Sequence, residues 1–428
     1  MIEDVHFFLF VVVIQNKTQN TQNMKKTRRK ELDLVHVLLL LALVAALCEG
    51  SKRFTCTENR DCRLHTCVAE RCVHKVPEGG KCDDDEDCSS PLHRCLKDVC
   101  AVPQPWEPRA YSPLKVRDGG FVGLSNPNLF FMIGGLFPSG RLSDSVFVYD
   151  PFTNEWRQRE GRMRSPRAGF GTAVVGGRVF IVGGDVFGKV SSLVEEFDPI
   201  ADEWYPRSPM PTPRAYLGVA ALGTRIYAIG GHDQEGNVLN TVEVYDITSD
   251  SWSSFPSMSV RRSRLQVVST DDLIFVLGGL DQTTQATSIV EIFDPKLSIW
   301  SFGPSLISSR FDFSASFFVY PSSHPSQQHR RRPVQQQQQP QNASIIVFGG
   351  RNDRPIKEVE EFCFEKYRWT SRPSLPSPRC SLMSASHSPP FLSPLSPSFG
   401  DLHGVFVLGG DDARSSFLNN LDLFHPLL

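Results

Sequence analysis

The stretch VFIVGGDVFGKVSSLVEEFDPIADEW, residues 179–204, decides the fold. An apolar run ends in two glycines. A second run ends in an aromatic, Phe197, and seven residues later stands Trp204. The pattern recurs along the chain. Apolar runs close on paired glycines at Gly135, Gly184, Gly231, Gly279, Gly350 and Gly410. The aromatics are Tyr149, Phe197, Tyr245, Phe293, Phe362 and Phe424, and the tryptophans are Trp156, Trp204, Trp252, Trp300 and Trp369. The first four tryptophans are 48 residues apart. A period of about 50 with four short strands per unit describes the blades of a propeller.

Each signature has a physical sense. Glycines without Cβ let the second strand turn tightly near a crowded axis. The aromatic and the tryptophan fill the wedge between neighbouring blades. No blade covers both of its faces alone, so blades stack into a ring. These units resemble the kelch repeat, over about three quarters of the chain. The resemblance implies an all-β, six-bladed propeller.

The seam of the ring is also readable. Adding seven to Phe424, or 22 to Gly409, places a sixth tryptophan at position 431, past Leu428. Trp106 has no aromatic partner of its own and lies 28 residues before Gly134, against 26 or 27 in the uninterrupted blades. The segment around Trp106 is therefore expected to supply the outermost strand of the last blade, leaving no free sheet edge at the seam. Two blades carry Ser-, Pro- and Gln-rich insertions, about 321–343 and 386–400, each between a first and a second strand. Both are too poor in apolar residues to order themselves.

Ahead of the propeller, which is taken as 105–428, lie two other segments. Residues 1–50 read as targeting sequence. After Met24 come Lys25, Lys26, Arg28, Arg29 and Lys30, then an apolar run from Leu34 to Cys48 and small residues Ala45 and Ala46. That is the layout of a secretory signal peptide, about 24–50, too short to span a bilayer. If it is not cleaved, the chain is a membrane-anchored ectodomain. Residues 51–104 hold Cys56, Cys62, Cys67 and Cys72, then Cys82, Cys88, Cys95 and Cys100, in two modules of similar spacing. Close metal-binding pairs are missing, so these are read as disulfide cysteines in an oxidising compartment. Pairing within modules leaves nine connectivities open. The segment resembles the small cysteine-rich modules of extracellular proteins, of the EB or dickkopf N-terminal kind. The acidic run Asp83–Asp87 lacks the spacing of a calcium loop. Asn342 opens an N-x-S sequon and is a candidate glycan site.

A net charge of −2 excludes the basic surface that nucleic-acid binding needs. One polar pattern recurs in every blade. Ten or eleven residues after each tryptophan stands an arginine: Arg117, Arg167, Arg214, Arg262, Arg310 and Arg379, with Arg264 nearby. In kelch adaptors, residues at or near this place contact acidic peptides, so the resemblance makes these arginines candidate ligand contacts at one mouth of the channel. The structural alternative pairs them internally with Glu195, Glu243, Glu291, Glu360 and Asp422, which also recur. Cys363 and Cys380 are expected at opposite ends of their strands and therefore unbridged.

No esterase elbow, metalloprotease helix or phosphate loop is present. No cofactor and no metal are expected. The reading is an extracellular, non-enzymatic recognition protein for a protein, peptide or glycan. The alternatives are a secreted carbohydrate-modifying enzyme of kelch fold, of the galactose oxidase or sialate mutarotase kind, and a membrane-anchored adhesion ectodomain.

Overall fold

A computed structural model describes strand residues 66–68, 71–73, 94–96 and 99–101, and then 105–320 without 126–127, 343–387, and 404–426 without 413 and 415. The expected signal segment, Asp83–Asp87, Asn342, the bonding of the eight head cysteines and the bodies of both insertions lie outside the described residues. The chain divides into two compact units, Met1–Pro103 and Gln104–Leu428.

The first unit contains two small hairpins, Thr66–Val68 with Arg71–Val73 and Arg94–Leu96 with Val99–Ala101. In each, the third and fourth cysteine positions of a module stand opposite one another, Cys67 with Cys72 and Cys95 with Cys100. The duplication seen in the spacing is thus repeated in the backbone.

The second unit is a six-bladed propeller, its six four-stranded antiparallel sheets lying among the described residues. Blade 1 is Gly120–Ser125, Asn128–Ile133, Val146–Asp150 and Glu155–Gln158. Blades 2 to 5 repeat it, counted from the axis outward. Blade 6 takes three strands from the end of the chain, Met383–His387, Gly404–Asp411 and Phe417–Phe424, and its outermost strand, Trp106–Arg109, from the start of the unit. The expected closure is therefore the one observed. Sheet edges correct the insertion limits slightly: the flanking strands extend to His387 and begin at Ala343.

Every blade carries the same aromatic pair across its third and fourth strands. Tyr149 faces Trp156, Phe197 faces Trp204, and Phe424 faces Trp106, with ring centroids 5.0, 4.9 and 4.8 Å apart. The indole N–H then reaches back to the neighbouring blade. Trp300 donates to the Pro256 carbonyl at 2.8 Å, Trp369 to Pro304 at 2.8 Å, and Trp106 to Pro373 at 3.2 Å. Trp204 is the exception, and its indole finds no acceptor. Asp202 takes the local amides of Glu160 and Gly161 instead.

The seam carries added polar ties. His425 Nε2 lies 3.4 Å from Glu107, and Arg109 donates to Glu107 at 2.7 Å. The hydrogen bond from His425 and the charge of Arg109 hold the Glu107 carboxyl at about 2, although burial works the other way. Cys363 and Cys380 are unbridged, at opposite ends of their strands: Cys363 pairs with Arg368 beside a third-to-fourth-strand turn, and Cys380 with Asp411 beside a second-to-third-strand loop.

Because Trp106 closes the ring, Trp106→Ala is expected to cost about 3–5 kcal/mol. Urea unfolding of the variant checks this, with Trp300→Ala as the comparison inside a covalently continuous blade.

Candidate functional site

The paired glycines sit where the second strand leaves the sheet. Both residues of each pair have positive φ, for example Gly183 at 68° and Gly184 at 103°. A side chain there would be strained, and a Cβ on Gly183 would lie 2.5 Å from the Arg214 carbonyl. That close approach has a purpose. The amide of the second glycine donates to the carbonyl of the arginine that starts the next blade: Gly184 to Arg214 at 3.0 Å, Gly231 to Arg262 at 2.9 Å, and Gly279 to Arg310 at 2.8 Å.

The guanidinium of that arginine turns inward, into its own blade. Arg262 donates to the carbonyls of Gly278 and Ile289 at 3.1 and 2.9 Å and to Glu291 at 2.8 Å. Arg310 does the same with Gly349, Glu358 and Glu360. The ion pairs Arg167–Glu195 and Arg214–Glu243 are 3.2 and 3.1 Å, and Arg379 pairs with Asp422. The glutamates are satisfied from their other side by backbone amides, as Glu291 is by Ser259 and Val260. Burial lowers Arg167, Arg214, Arg262 and Arg310 below the ordinary arginine value, and the paired glutamates oppose it.

This corrects the expectation of an arginine-lined mouth. Arg167, Arg214, Arg262, Arg310 and Arg379 are 0% exposed and cannot touch a ligand without the blades opening. They are ties between blades. Arg117 does not belong to the set. It bridges Leu136 as Ala168 bridges Asp185, so the counterpart of Arg167 is Val116. The counterpart of Glu195 is Phe147, and blade 1 replaces the ion pair with these two buried apolar residues in one cluster.

What does line this end of the channel is the residue two places further on. Asp118, Gly169, Tyr216, Arg264, Asp312 and Ser381 all have φ between 50° and 63°. Their backbones form a chain of hydrogen bonds around the axis. Gly169 donates to Asp118, Tyr216 to Gly169, Arg264 to Tyr216, Asp312 to Arg264 and Ser381 to Asp312, at 2.7–3.4 Å. Spacing alone shows that Tyr216, Arg264 and Asp312 occupy one repeat phase, each 48 residues from the next. Their side-chain types share nothing that marks a site, which is why only Arg264 was singled out.

Arg264 donates to Asp312 at 2.7 Å and lies 3.9 Å from the centre of the Tyr216 ring. Burial opposes its charge, yet Asp312, Tyr216 and Asp118 hold it above the ordinary arginine value. Arg117 donates to Asp411 at 2.6 Å and stands 3.5 Å from Asp118. Burial, with Asp312 and Asp411 nearby, pushes Asp118 up to about 6, against the pull of Arg264 and Arg117. Burial and Asp118 also push Tyr216 up to about 12. The site holds about 90 Å³ and opens toward a channel of about 390 Å³ whose lining, among the described residues, contains no ionisable side chain. Among the described residues no three of His, Cys, Asp or Glu converge as metal ligands.

Two outcomes test this geometry. Arg262→Ala leaves Glu291 buried and unpaired, so it is expected to cost about 3–5 kcal/mol in urea unfolding. Arg262→Met with Glu291→Leu should recover most of it, following the apolar solution of blade 1. Asp118 has a folded value of about 6 against an ordinary 3.8, so its ionised form opposes folding above pH 6. That penalty is relieved as pH falls from 6 toward 4, where the native state takes up the proton first. Asp118→Asn should therefore stabilise the protein by about 1–3 kcal/mol at pH 7.5 and by nothing near pH 4.

Comparison with known proteins agrees with the repeat. Residues 117–309 match the KLHDC2/KLHL20/DRC7 Kelch-repeats domain. Kelch-like protein 41b of Danio rerio is 28% identical over 123 residues, which are 29% of this chain and 20% of that protein. F-box/kelch-repeat protein At1g16250 of Arabidopsis thaliana is 31% identical over 22% of this chain and 29% of its own length. The chain thus spans less than a third of these relatives. The solved structure of YjhT superposes with a TM-score of 0.57 at 12% identity, covering 74% of this chain and 96% of that one, a likeness of fold alone. The double-glycine turns and the six-blade closure make the second unit a six-bladed β-propeller, similar over residues 117–309 to the Kelch-repeats domain.

Proposed function

We propose that this protein is an exported recognition protein that binds a protein, peptide or glycan on the propeller face carrying the glycine turns. The observation that carries this is Phe187. It sits at the tip of the two-strand hairpin Asp185–Val186 and Lys189–Val190, on that face, and is 71% exposed. Phe187 and Gly188 have φ of 54° and 83°, the pattern of a type I′ turn that favours Asn-Gly. An exposed aromatic in a left-handed conformation costs stability and contributes nothing to the core. The hairpin is also braced from the next blade, with Gln234 accepting from the Val190 amide at 2.8 Å and donating to the Gly188 carbonyl at 3.3 Å. A rigidly held, strained, exposed ring is what a binding anchor requires.

The basic and apolar segment after Met24 and the paired cysteine modules support export. A carbohydrate-modifying enzyme is the second reading, because Tyr216, Asp118 and Asp312 do converge on the channel end. Against it, those groups border only about 90 Å³, below the ~300 Å³ at which small-molecule pockets begin. The roomier channel behind them offers no acid or base among the described residues.

The test uses the full chain expressed in secreting cells. Protein recovered from the medium should begin near residue 50, and cross-linking at the cell surface should recover a partner. Phe187→Asn should reduce that recovery more than tenfold while the thermal midpoint stays level or rises. Equal recovery by both proteins would remove this face from the binding surface.

A further inference from the structure

The charges at the channel end do not suit the acidic ligand that an arginine-lined mouth would take. Of the described ionisable side chains bordering the 90 Å³ site, two are carboxylates, Asp118 and Asp312, and one is a full cation, Arg264. Arg117 and Asp411 beside it neutralise each other at 2.6 Å. Arg351 stands over the Phe311 ring and makes no ion pair among the described residues. Arg264 is used up by Asp312 through a 2.7 Å hydrogen bond and by the face of Tyr216.

Asp118 is the group left over. Its side chain is 8% exposed, its carboxylate receives no hydrogen bond among the described residues, and its ion pair with Arg117 is a loose 3.5 Å. It borders the cavity directly, as does Ser381, whose hydroxyl makes no hydrogen bond among the described residues. A buried carboxylate without a donor costs stability unless something supplies one. Its two oxygens, the second oxygen of Asp312 and the Ser381 hydroxyl form an acceptor set around a space of about 90 Å³. That is room for a head group, not for a whole ligand. Two carboxylates, one of them already holding a guanidinium, fall short of the six or more oxygens a calcium ion takes.

We infer that this end of the channel is a socket for one cationic head group, the ammonium of a lysine or the guanidinium of an arginine, presented by a partner segment lying across the face that carries Phe187. The inference rests on the reading of the protein as a binding module and names the chemistry of what it binds. An N–H donor entering the site supplies Asp118 with its missing hydrogen bonds and brings its charge into balance.

The probes are fluorescent pentapeptides acetyl-Gly-Gly-X-Gly-Gly with X as Arg, Lys or Glu, titrated against the full chain. The Arg or Lys peptide should bind at least tenfold more tightly than the Glu peptide at pH 7.5. That preference should fall at least tenfold at pH 5, where Asp118 takes up a proton in the free protein. Asp118→Asn should abolish the preference at pH 7.5 and remove its pH dependence, with no loss in thermal midpoint. Ser381→Ala, which keeps every charge, should weaken binding of the basic peptide only a few-fold. The inference is overturned if the Glu peptide binds as well as the basic ones, if no peptide binds, if Asp118→Asn binds like the parent, or if calcium chloride displaces the basic peptide. The Phe187→Asn cross-linking result is independent of these titrations. A partner recovered there, with no preference here, would leave the binding module standing and the socket refuted.

Discussion

The propeller depends on the buried arginine at the start of each blade from the second to the sixth. Its carbonyl accepts from the glycine turn of the blade before, and in most of these blades its guanidinium holds the glycine turn of its own blade. One residue therefore fixes two neighbouring sheets in register. Such a buried charge is tolerable only when it is paired, and the recurring acid, itself held by backbone amides as Glu291 is, supplies the opposite charge. The glycine pair follows from the same demand, because a Cβ would occupy the space through which the arginine carbonyl approaches.

Blade 1 shows that the device is one solution and not the only one. Val116 and Phe147 take the two positions and pack as hydrophobic core. Blade 1 lies beside the seam, where Trp106, the Glu107–His425 contact and the hydrogen bond from Ser112 to Asn419 join the beginning of the unit to its end. Stability there comes from strand pairing and aromatic burial, and the polar tie is dispensable.

The channel end works on the opposite principle. The backbones of Asp118, Gly169, Tyr216, Arg264, Asp312 and Ser381 are locked to one another around the axis, so the backbone itself fixes where their side chains start. A rigid frame of that kind can carry a group that lowers stability, such as Asp118, and the exposed Phe187 is a second such group on the same face. Both are easier to explain as parts of a binding surface than as parts of a fold.

The sequence by itself determined the number of blades, the aromatic pair in each, the glycine turns and the closure through Trp106. These are local, repeated spacings, and a repeat forces equivalent positions into equivalent environments. It also presented the arginines and their acids as partners. It did not decide where those arginines point, because the connection between blades varies by a residue and only hydrogen-bond register shows that Val116, and not Arg117, is the sixth member. Nor did it join Asp118, Tyr216 and Asp312 into one site. They lie in three different blades, have no side-chain type common to all three, and meet only because closing the ring brings six separate chain segments to a single axis.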